Sequence, residues 1–333
     1  MAAVQDVIAL LEGEGLAIEG ERVLVTGGAG FLGSWVCEAL LQFGKRVVCV
    51  DNLASGLRSN IVHLKGEFQF VKSDVSEPLE LEDGFDLVLH MASRASPFEF
   101  DKYPIEILRA NTFGIVNALE VARVSGARFL YTSTSEVYGD PDPKFVPTPE
   151  SYNGNVSTTG PRGCYDEGKR AGEAYVTAYH RQYYLDTRMV RIFNTYGPRM
   201  RADDIYGRVV PRFISQALHG EDITVFGDGT QTRSFTYVTD QLEGILRALA
   251  VDGIGGDVFN IGNENETTVL ELAELVKRLT DSRSDIVFRP LPKDDPRRRC
   301  PDISKAKRVL HWTPRTGLEE GLQKTIEGFK GKR

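Results

Sequence analysis

The sequence predicts an α/β fold, a doubly wound parallel sheet followed by a smaller C-terminal domain. Six short apolar segments, rich in β-branched residues, alternate with segments of helical length from Arg22 onward. These apolar segments lack polar alternation, which is typical of strands buried on both faces. After about Thr195 the alternation becomes irregular and turn-forming residues become frequent, so a second, smaller domain is expected there.

The strands and helices can be placed in order along the chain. The predicted strands are RVLVTG, RVVCVD, FQFVKSD, DLVLHMA, ARFLYTS and TRMVRI. The predicted helices span 33–44, 104–125, 163–184, 209–219 and 267–280. Ahead of the first strand, an amphipathic helix is indicated by the spacing of Val4, Val7, Ile8 and Leu11. We therefore expect three parts: a helical extension (1–20), a sheet domain (21–195) and a smaller domain (196–333).

The composition argues against several classes of protein. The 333 residues are 41% hydrophobic and 26% charged with a net charge of −7, so a nucleic-acid partner is not expected. No apolar stretch reaches the roughly 18 residues that a membrane span requires, so no membrane association is expected. The four cysteines and five histidines have no disulfide-framework or metal-ligand spacing. We therefore expect no metal site and a cytoplasmic location.

A glycine-rich turn follows the first predicted strand. In VLVTGGAGFLG, Gly27, Gly30 and Gly33 lie between this strand and the start of a helix. Glycine at these positions permits a tight turn, approach of a pyrophosphate to the backbone and close packing of helix on strand. The helix N-terminus adds free N–H groups and a positive dipole end. The pattern predicts a Rossmann domain that binds a dinucleotide here, with Phe31 and Leu32 in the same turn.

Acidic residues at the next strand ends bear on the choice of dinucleotide. Asp51 closes the second predicted strand, about 20 residues after the glycines, where a carboxylate can accept hydrogen bonds from a ribose. Its charge would repel a 2′-phosphate, which favours NAD over NADP; the alternative is a turn residue before Asn52. Asp74 either binds the adenine amine or is a solvated turn acid. Asn52, Val75 and Ala92, also near strand ends, are assigned to the same NAD site.

A tyrosine and a lysine are placed to act as an acid–base pair. Tyr165 and Lys169, in GCYDEGKR, are four residues apart on a predicted helix and share one face. Tyrosine is a poor base at its ordinary pKa of about 10. A nearby ammonium and the nicotinamide cation would stabilise phenolate and bring that pKa toward neutrality. The phenolate could then take a proton from an alcohol while hydride leaves the same carbon. Thr134, at the end of an intervening strand, supplies a hydroxyl.

From about residue 20 onward, these features resemble the extended short-chain dehydrogenase/reductase superfamily. The resemblance implies that Thr134, Tyr165 and Lys169 form a catalytic triad and that Asn111 supports it beside the NAD. Members of the superfamily mostly act on nucleotide sugars, so a UDP-sugar substrate is implied. It also implies a homodimer formed by the helices at 104–125 and 163–184.

Three later segments, NTYGPR, VVPRFI and QTRSFTYV, look like those that hold the diphosphate and uridine of such substrates. The substrate residues that they supply are Asn194, Arg199, Val210 and Arg233.

Within this superfamily, five segments are similar to UDP-glucuronate decarboxylases: STSEVYGDP, GPRGCYDEGKR, VRIFNTYGPRM, GDGTQTRSFTYV and DDPRRRCPDISKAK. The similarity implies an NAD-dependent carboxy-lyase that forms UDP-xylose. Oxidation at C4 creates a β-keto acid, CO₂ leaves, and the C4 ketone is reduced again. Glu136 is expected to shuttle a proton or to orient the acid, with Ser135 at the ring or the carboxylate. Arg233 is expected at the enol intermediate, either as its charge partner or as the general acid that protonates it. Arg299 is expected at the diphosphate.

Three other functions are compatible with the same residues. Arg94 stands where the decarboxylases generally carry proline, and an extra cation near the nicotinamide keeps a nucleotide-sugar 4-epimerase as an alternative. A 4,6-dehydratase is a second alternative, weakened because Ser135 replaces the aspartate usual in that group. A redox-sensing binding module is a third, disfavoured because such modules typically lose the tyrosine and lysine that this chain keeps.

Overall fold

The computed structural model of the protein describes residues 2–81, 84–201, 208–291 and 297–331. The first three residues of the DDPRRRCPDISKAK segment lie outside these ranges. The strands, in chain order, are β1 (Arg22–Thr26), β2 (Arg46–Val50), β3 (Phe68–Val71), β4 (Leu87–His90), β5 (Arg128–Thr134), β6 (Thr187–Ile192), β7 (Thr195–Tyr196), β8 (Ile223–Phe226), β9 (Thr232–Ser234), β10 (Thr236–Tyr237), β11 (Val258–Ile261), β12 (Glu266–Thr268), β13 (Ile286–Arg289) and β14 (Arg298–Arg299).

The helices cover both the sheet and the smaller domain. They are α1 (Ala2–Gly13), α2 (Phe31–Gln42), α3 (Pro97–Phe100), α4 (Pro104–Ser125), α5 (Gly163–Tyr183), α6 (Val209–His219), α7 (Val238–Ala250), α8 (Val269–Leu279), α9 (Ser304–Val309) and α10 (Leu318–Lys330). Short 3-10 helices occur at Arg58–Asn60, Ser135–Tyr138 and Pro143–Phe145. None of the described helices is long and apolar enough to cross a membrane.

The main sheet has seven parallel strands in the order β11-β6-β5-β4-β1-β2-β3. The six strands that the sequence predicts all belong to it, and the predicted α/β fold with a doubly wound parallel sheet is confirmed. The seventh, β11, was not predicted. It pairs with β6 in the register Val258↔Met189. The chain therefore returns to the sheet well after residue 195, where the sequence suggested that the sheet domain ends.

Both faces of this sheet are buried, as the apolar strands require. In β1, the side chains of Val23 and Val25 pack in a cluster with α2 and α7, whereas Leu24 packs in a cluster with α4 and α5. All three are fully buried. Since successive side chains of a strand point to opposite faces, these two clusters are the two layers of helices that cover the sheet.

The smaller domain contains short strands and two strongly amphipathic helices. β8 pairs with β13, and β9 lies between β12 and β14 in a three-stranded sheet. Helix α8 begins with a capping box, in which the Thr268 hydroxyl accepts a hydrogen bond from the Glu271 N–H and the Glu271 carboxylate accepts one from the Thr268 N–H. These elements bring residues from beyond 208 to the carboxyl ends of the parallel strands.

The predicted N-terminal helix is present as α1 and is part of the core. Its residues Val4, Val7, Ile8 and Leu11 are buried, and the helix packs against α2 and α7. Removing a buried leucine side chain costs the transfer free energy of its methyl groups and leaves a cavity.

We expect Leu11→Ala to lower the free energy of unfolding of the whole protein by about 2–5 kcal/mol. Urea unfolding monitored by circular dichroism measures this difference. Leu291→Ala is the matched control, because the same side chain is 45% exposed there and its loss should change little. An unchanged unfolding midpoint for Leu11→Ala would mean that α1 is not part of the cooperative fold.

Candidate active site

A cavity of about 610 Å³ lies at the carboxyl ends of the central parallel strands. Ligands bind at this edge of open α/β sheets, because loops and helix N-termini converge there. Its wall includes every residue that the sequence assigned to the cofactor, to catalysis or to the substrate, with the exception of Asn111. The structure thus brings together residues from 27 to 299 in one site, although their individual roles stay predictions.

The glycine-rich turn forms one end of this cavity and is closely packed. A Cβ atom on Gly27 would lie 2.6 Å from the Ala92 Cα, and one on Gly33 would lie 2.2 Å from the Gly27 carbonyl oxygen. Gly27 also has a φ of 72°, which side chains with a Cβ rarely adopt. Gly30 is the N-cap of α2 and has no side chain that could cap the first N–H groups, and the first residues of the helix line the cavity. Such a backbone cradle fits a dinucleotide pyrophosphate.

The carboxylates assigned to the NAD site also hold the backbone around it. Asp51 accepts hydrogen bonds from the N–H groups of Ala29 (3.0 Å) and Leu53 (2.8 Å). Burial raises the pKa of Asp51, and these two hydrogen bonds oppose that rise. Asp74 accepts a hydrogen bond from the Asn52 side chain at 2.9 Å. Both acids are therefore held in place by the protein itself, which suits their predicted roles at the ribose and the adenine.

The triad residues meet where β5 ends against α5. Thr134 is the last residue of β5, and its hydroxyl accepts a hydrogen bond from the Glu136 N–H. The Lys169 ammonium donates to the Thr132 carbonyl at 2.9 Å. The Tyr165 ring stacks on Phe100 with a centroid distance of 5.1 Å.

Asn111 lies behind this group and is fully buried. Its amide nitrogen donates to the Ile107 carbonyl, and its Oδ1 has no hydrogen-bond partner among the described residues. A Cβ on Gly168 would come within 3.0 Å of the Asn111 Cβ, so α4 and α5 touch at this point. Asn111 can therefore support α5 next to Lys169, but it does not reach the cavity wall.

The electrostatic environment of the tyrosine is dominated by burial in the protein alone. The sequence predicts that Lys169 and the nicotinamide cation together lower the pKa of Tyr165, and the contribution of the nicotinamide stays a prediction. Burial raises the pKa of Tyr165 and the Glu136 carboxylate raises it further, while a hydrogen bond with Thr134 acts in the opposite direction. Burial also lowers the pKa of Lys169 to about 7. The reason is that burial disfavours charge on either residue, an effect that helical spacing does not reveal.

Glu136 is the centre of a buried charge cluster. Its carboxylate receives two hydrogen bonds from Arg299, one of them 2.8 Å long, and a third from Arg162. Burial favours the neutral acid, but the two guanidinium groups outweigh it and hold the pKa of Glu136 at about 2. Glu136 is therefore a permanent anion in this form of the protein. A proton shuttle would first require displacement of an arginine.

Two members of this cluster, Arg162 and Asp166, were missed by the sequence analysis. They are four residues apart at the start of α5, and Arg162 Nε lies 3.4 Å from Asp166 Oδ2. Burial, followed by the Glu136 charge, raises the pKa of Asp166 to about 7. The signal was present in GPRGCYDEGKR, because residues four apart on a helix are neighbours.

The predicted substrate residues occupy the wall next to this cluster. Arg233 is 7% exposed and lies beside Arg299 in the pairing of β9 with β14. Arg299 is bound to Glu136 on the cavity wall, and its expected contact with the diphosphate stays a prediction. Arg199 binds Glu38 and lies over the Trp35 ring at 4.3 Å. Ser135, Asn194 and Val210 complete this part of the wall.

Arg94 forms an ion pair and a ring contact with residues that are close to it in the sequence. Its guanidinium lies 2.7 Å from the Glu99 carboxylate and 4.3 Å from the centroid of the Tyr103 ring. The extra charge that the sequence analysis placed near the nicotinamide is therefore compensated by an acid five residues away. The main sequence argument for an epimerase is weakened accordingly.

The comparisons with known proteins agree with this geometry. The profile described as "NAD dependent epimerase/dehydratase family" matches residues 23–262. The chain belongs to this family.

The chain is also similar to individual proteins of this family. UDP-glucuronic acid decarboxylase 1 of Danio rerio is 49% identical over 311 residues, which is 93% of this chain and 72% of that protein. The Arabidopsis thaliana protein of the same name is 46% identical over 313 residues, 93% of this chain and 70% of that protein. A solved structure of UDP-glucose 4-epimerase with UDP-glucose from Thermotoga maritima has a TM-score of 0.83 at 33% identity, covering 93% and 99% of the two chains.

Membership of the family establishes NAD as the cofactor, and the resemblance to short-chain dehydrogenases inferred from the sequence is confirmed. The glycine cradle and the two oriented acids fit NAD, because they offer free N–H groups to the pyrophosphate and carboxylates to the hydroxyl and amine groups. Across the described ranges, no three His, Cys, Asp or Glu side chains group together as metal ligands.

The pKa of Asp166 leads to a prediction about stability. Its folded-state pKa of about 7 lies above the ordinary value of 3.8, so this carboxyl favours the folded state below pH 3.8 and loses that contribution as the pH rises through 7. Asn cannot ionise. We therefore expect Asp166→Asn to gain up to about 4 kcal/mol of unfolding free energy relative to the parent between pH 4 and pH 8. Urea unfolding at several pH values measures this.

Glu167→Gln is the control, because this neighbouring acid is about one-third exposed and should leave the pH dependence of the parent unchanged. A stability difference between Asp166→Asn and the parent that is the same at all pH values would contradict the shifted pKa.

Proposed function

We propose that the protein is a UDP-glucuronate decarboxylase that forms UDP-xylose through a 4-keto intermediate, with tightly bound NAD. The observation that carries the proposal is the Glu136 centre, a buried carboxylate with two arginines, which lies two residues after Thr134 on the cavity wall. Such a cluster can receive a sugar that carries its own carboxylate. Both arginines lie in segments similar to the decarboxylases, and the relatives of that name match nearly the whole chain.

The first step is oxidation at C4 of the sugar. NAD, when bound, accepts a hydride from C4 and later returns it. The Tyr165 phenolate takes the proton of the C4 hydroxyl, and Thr134 holds the same oxygen by a hydrogen bond. Lys169 stabilises the phenolate, because forming two opposite charges together in a buried site costs less than forming either alone.

The second step breaks the bond between C5 and the carboxylate. The electron pair stays on C5 and is delocalised onto the C4 ketone, CO₂ leaves, and C5 then receives a proton. Glu136 and Ser135 orient the departing carboxylate so that its bond to C5 is aligned with the ketone. Arg299 and Arg233 stabilise the enolate charge, and Arg233 is the candidate general acid. The reaction consumes one proton in each turnover.

The remaining assignments concern substrate and cofactor binding. We assign the diphosphate and uridine to Asn194, Arg199, Val210 and Arg233, all on the cavity wall. In this proposal the sheet domain (21–195) binds NAD, while the smaller domain (196–333) holds the nucleotide sugar and contributes Arg299 to the reaction. Because all four cysteines are free thiols, we also propose a reducing, cytoplasmic location.

The test of the function is incubation of the purified protein with UDP-glucuronate and NAD, followed by chromatography and measurement of CO₂. We expect UDP-xylose and an equal amount of CO₂. UDP-galacturonate without CO₂ would instead establish a 4-epimerase, the activity of the Thermotoga maritima neighbour on UDP-glucose. A 4-keto-6-deoxy sugar from a 6-hydroxyl substrate would establish a dehydratase.

Substitution of Glu136 should separate oxidation from decarboxylation. In Glu136→Gln the triad is intact, so adding UDP-glucuronate should still produce absorbance of reduced cofactor at 340 nm. Loss of the carboxylate charge releases Arg162 and Arg299 from their partner, and we expect CO₂ release to slow by about two orders of magnitude or more. Stopped-flow absorbance and a CO₂ assay measure the two steps.

Tyr165→Phe is the companion variant, because it removes the base for C4 and should abolish both signals. If Glu136→Gln released CO₂ at the parent rate, Glu136 would have no role after oxidation.

We also propose that the protein is a homodimer formed by α4 and α5. These adjacent helices expose several large apolar side chains to solvent, which is unusual for a surface without a partner. They are Ile105, Leu108, Phe113, Val124, Tyr175 and Tyr183. A second copy of the same two helices would cover them, and the chain resembles a superfamily in which the corresponding helices form the dimer.

Phe113→Glu should convert the dimer into a monomer, because it places a charge in the middle of the apolar surface. Light scattering at micromolar concentration measures the mass. Phe288→Glu is the control, since Phe288 is similarly exposed (50%, against 56% for Phe113) but lies on β13, away from α4 and α5. A parent protein that is already monomeric at this concentration would overturn the proposal.

A further inference from the structure

The buried cluster around Glu136 contains a second carboxyl group that the proposed reaction does not use. Asp166 follows Tyr165 directly on α5, and its side chain is only 6% exposed. It is not part of the cavity wall. Its Oδ2 has one long contact, 3.4 Å from Arg162 Nε, and its Oδ1 has no hydrogen-bond partner among the described residues. A buried carboxylate with so few donors is poorly stabilised as an anion.

Arg162 connects this carboxyl to the catalytic one. Its terminal nitrogen binds Glu136, while its Nε faces Asp166. Within the four-residue cluster, Arg162 and Arg299 provide two positive charges, and Glu136 and Asp166 provide two negative charges when both are ionised. A uronic acid in the cavity brings a further negative charge next to the same arginines. If Asp166 then binds one proton, the two arginine charges are again matched by two negative charges.

We propose that Asp166 binds a proton when a sugar acid enters the site, so that the buried cluster accommodates the added carboxylate charge. The inference rests on the proposed function. Asp166 thus adjusts the charge of the site through Arg162, without touching the substrate. The step is a simple protonation, in which the Asp166 carboxylate takes a proton from the buffer and becomes a carboxylic acid.

Other charged groups also lie near Asp166. Lys169 and Arg170 lie on the same helix, and they donate to the Thr132 and Val137 carbonyls, respectively. Arg208 approaches from the segment before α6, and it acts on the neighbouring Tyr165. None of these groups is assigned to the sugar carboxylate, by which UDP-glucuronate differs from UDP-glucose. The comparison of the two ligands therefore isolates the response to that carboxylate.

The pKa values agree with this assignment. Burial and the Glu136 charge raise the pKa of Asp166 to about 7, so at pH 8 the free protein holds mostly the carboxylate and can take up a proton. A further anion nearby raises that pKa again. The pKa of Lys169 is also about 7. Lys169 can therefore take up a proton on binding of either sugar nucleotide, which is why the neutral sugar is needed as a reference.

The experiment is calorimetric titration of the NAD-loaded Tyr165→Phe protein, in which the chemistry is blocked, with UDP-glucuronate and with UDP-glucose at pH 8. Repeating each titration in Tris and in phosphate buffer gives the number of protons taken up, because the two buffers have different ionisation enthalpies. We expect UDP-glucuronate binding to take up between about half a proton and one proton more than UDP-glucose binding. Equal proton uptake for the two ligands would overturn the proposal.

A second measurement uses the otherwise unchanged enzyme. Above pH 7 the apparent KM for UDP-glucuronate should rise by up to about tenfold per pH unit, since binding must include a proton. Asp166→Asn should remove this slope, and Glu167→Gln should keep it. A slope that persists in Asp166→Asn would assign the proton to another group. Failure of the proposed function is recognised separately, because the parent would then release no CO₂ from UDP-glucuronate.

Discussion

The ion pairs of Glu136 are the interaction on which the arrangement of the site depends. The carboxylate follows β5 of the main sheet, Arg162 precedes the first turn of α5, and Arg299 belongs to β14 of the smaller domain. Three parts of the fold that are distant in sequence are thus held at one buried point. Isolated charges could not remain there, because burying an unpaired ion costs several kcal/mol. The Glu136–Arg299 ion pair therefore ties β14 to the end of β5, and separating the two elements would leave both charges without their partner.

The sequence was informative wherever local spacing determines structure. The six apolar strands, the glycines of the turn and the four-residue spacing of Tyr165 and Lys169 all appear as predicted, because each follows from a short-range rule of backbone geometry. Strand β11 was missed since its four residues lie between Gly and Asn residues and carry no pattern that separates a strand from a loop. The contact of Arg299 with Glu136 joins residues 163 positions apart, and no periodicity within either segment contains that information.

Charge states were the least predictable property, because they depend on burial and not on residue type. Helical spacing places Tyr165 and Lys169 on one face, and the lowered tyrosine pKa predicted from the sequence depends on the lysine and the nicotinamide cation together; in the protein alone, burial raises that pKa. The same burial lowers the pKa of Lys169. Together the two shifts show that burial disfavours the charged form of both residues. In the proposed mechanism, a phenolate that forms beside an ammonium group costs less than either charge alone.

Glu136 and Asp166 belong to one buried cluster, yet their carboxyl groups have different protonation behaviour. Both are buried and both face Arg162, yet their pKa values are held at about 2 and about 7. The difference comes from geometry: Glu136 receives hydrogen bonds from two guanidinium groups, while Asp166 has one long contact. Environments that push two pKa values apart assign one group to remain charged and the other to exchange protons near neutral pH. In the proposed decarboxylation, Glu136 is the fixed anion that orients the acid, and Asp166 is the nearby group that adjusts the total charge as the acid enters and leaves as CO₂. Since Asp166 lies outside the cavity wall, it can make that adjustment without competing for the substrate.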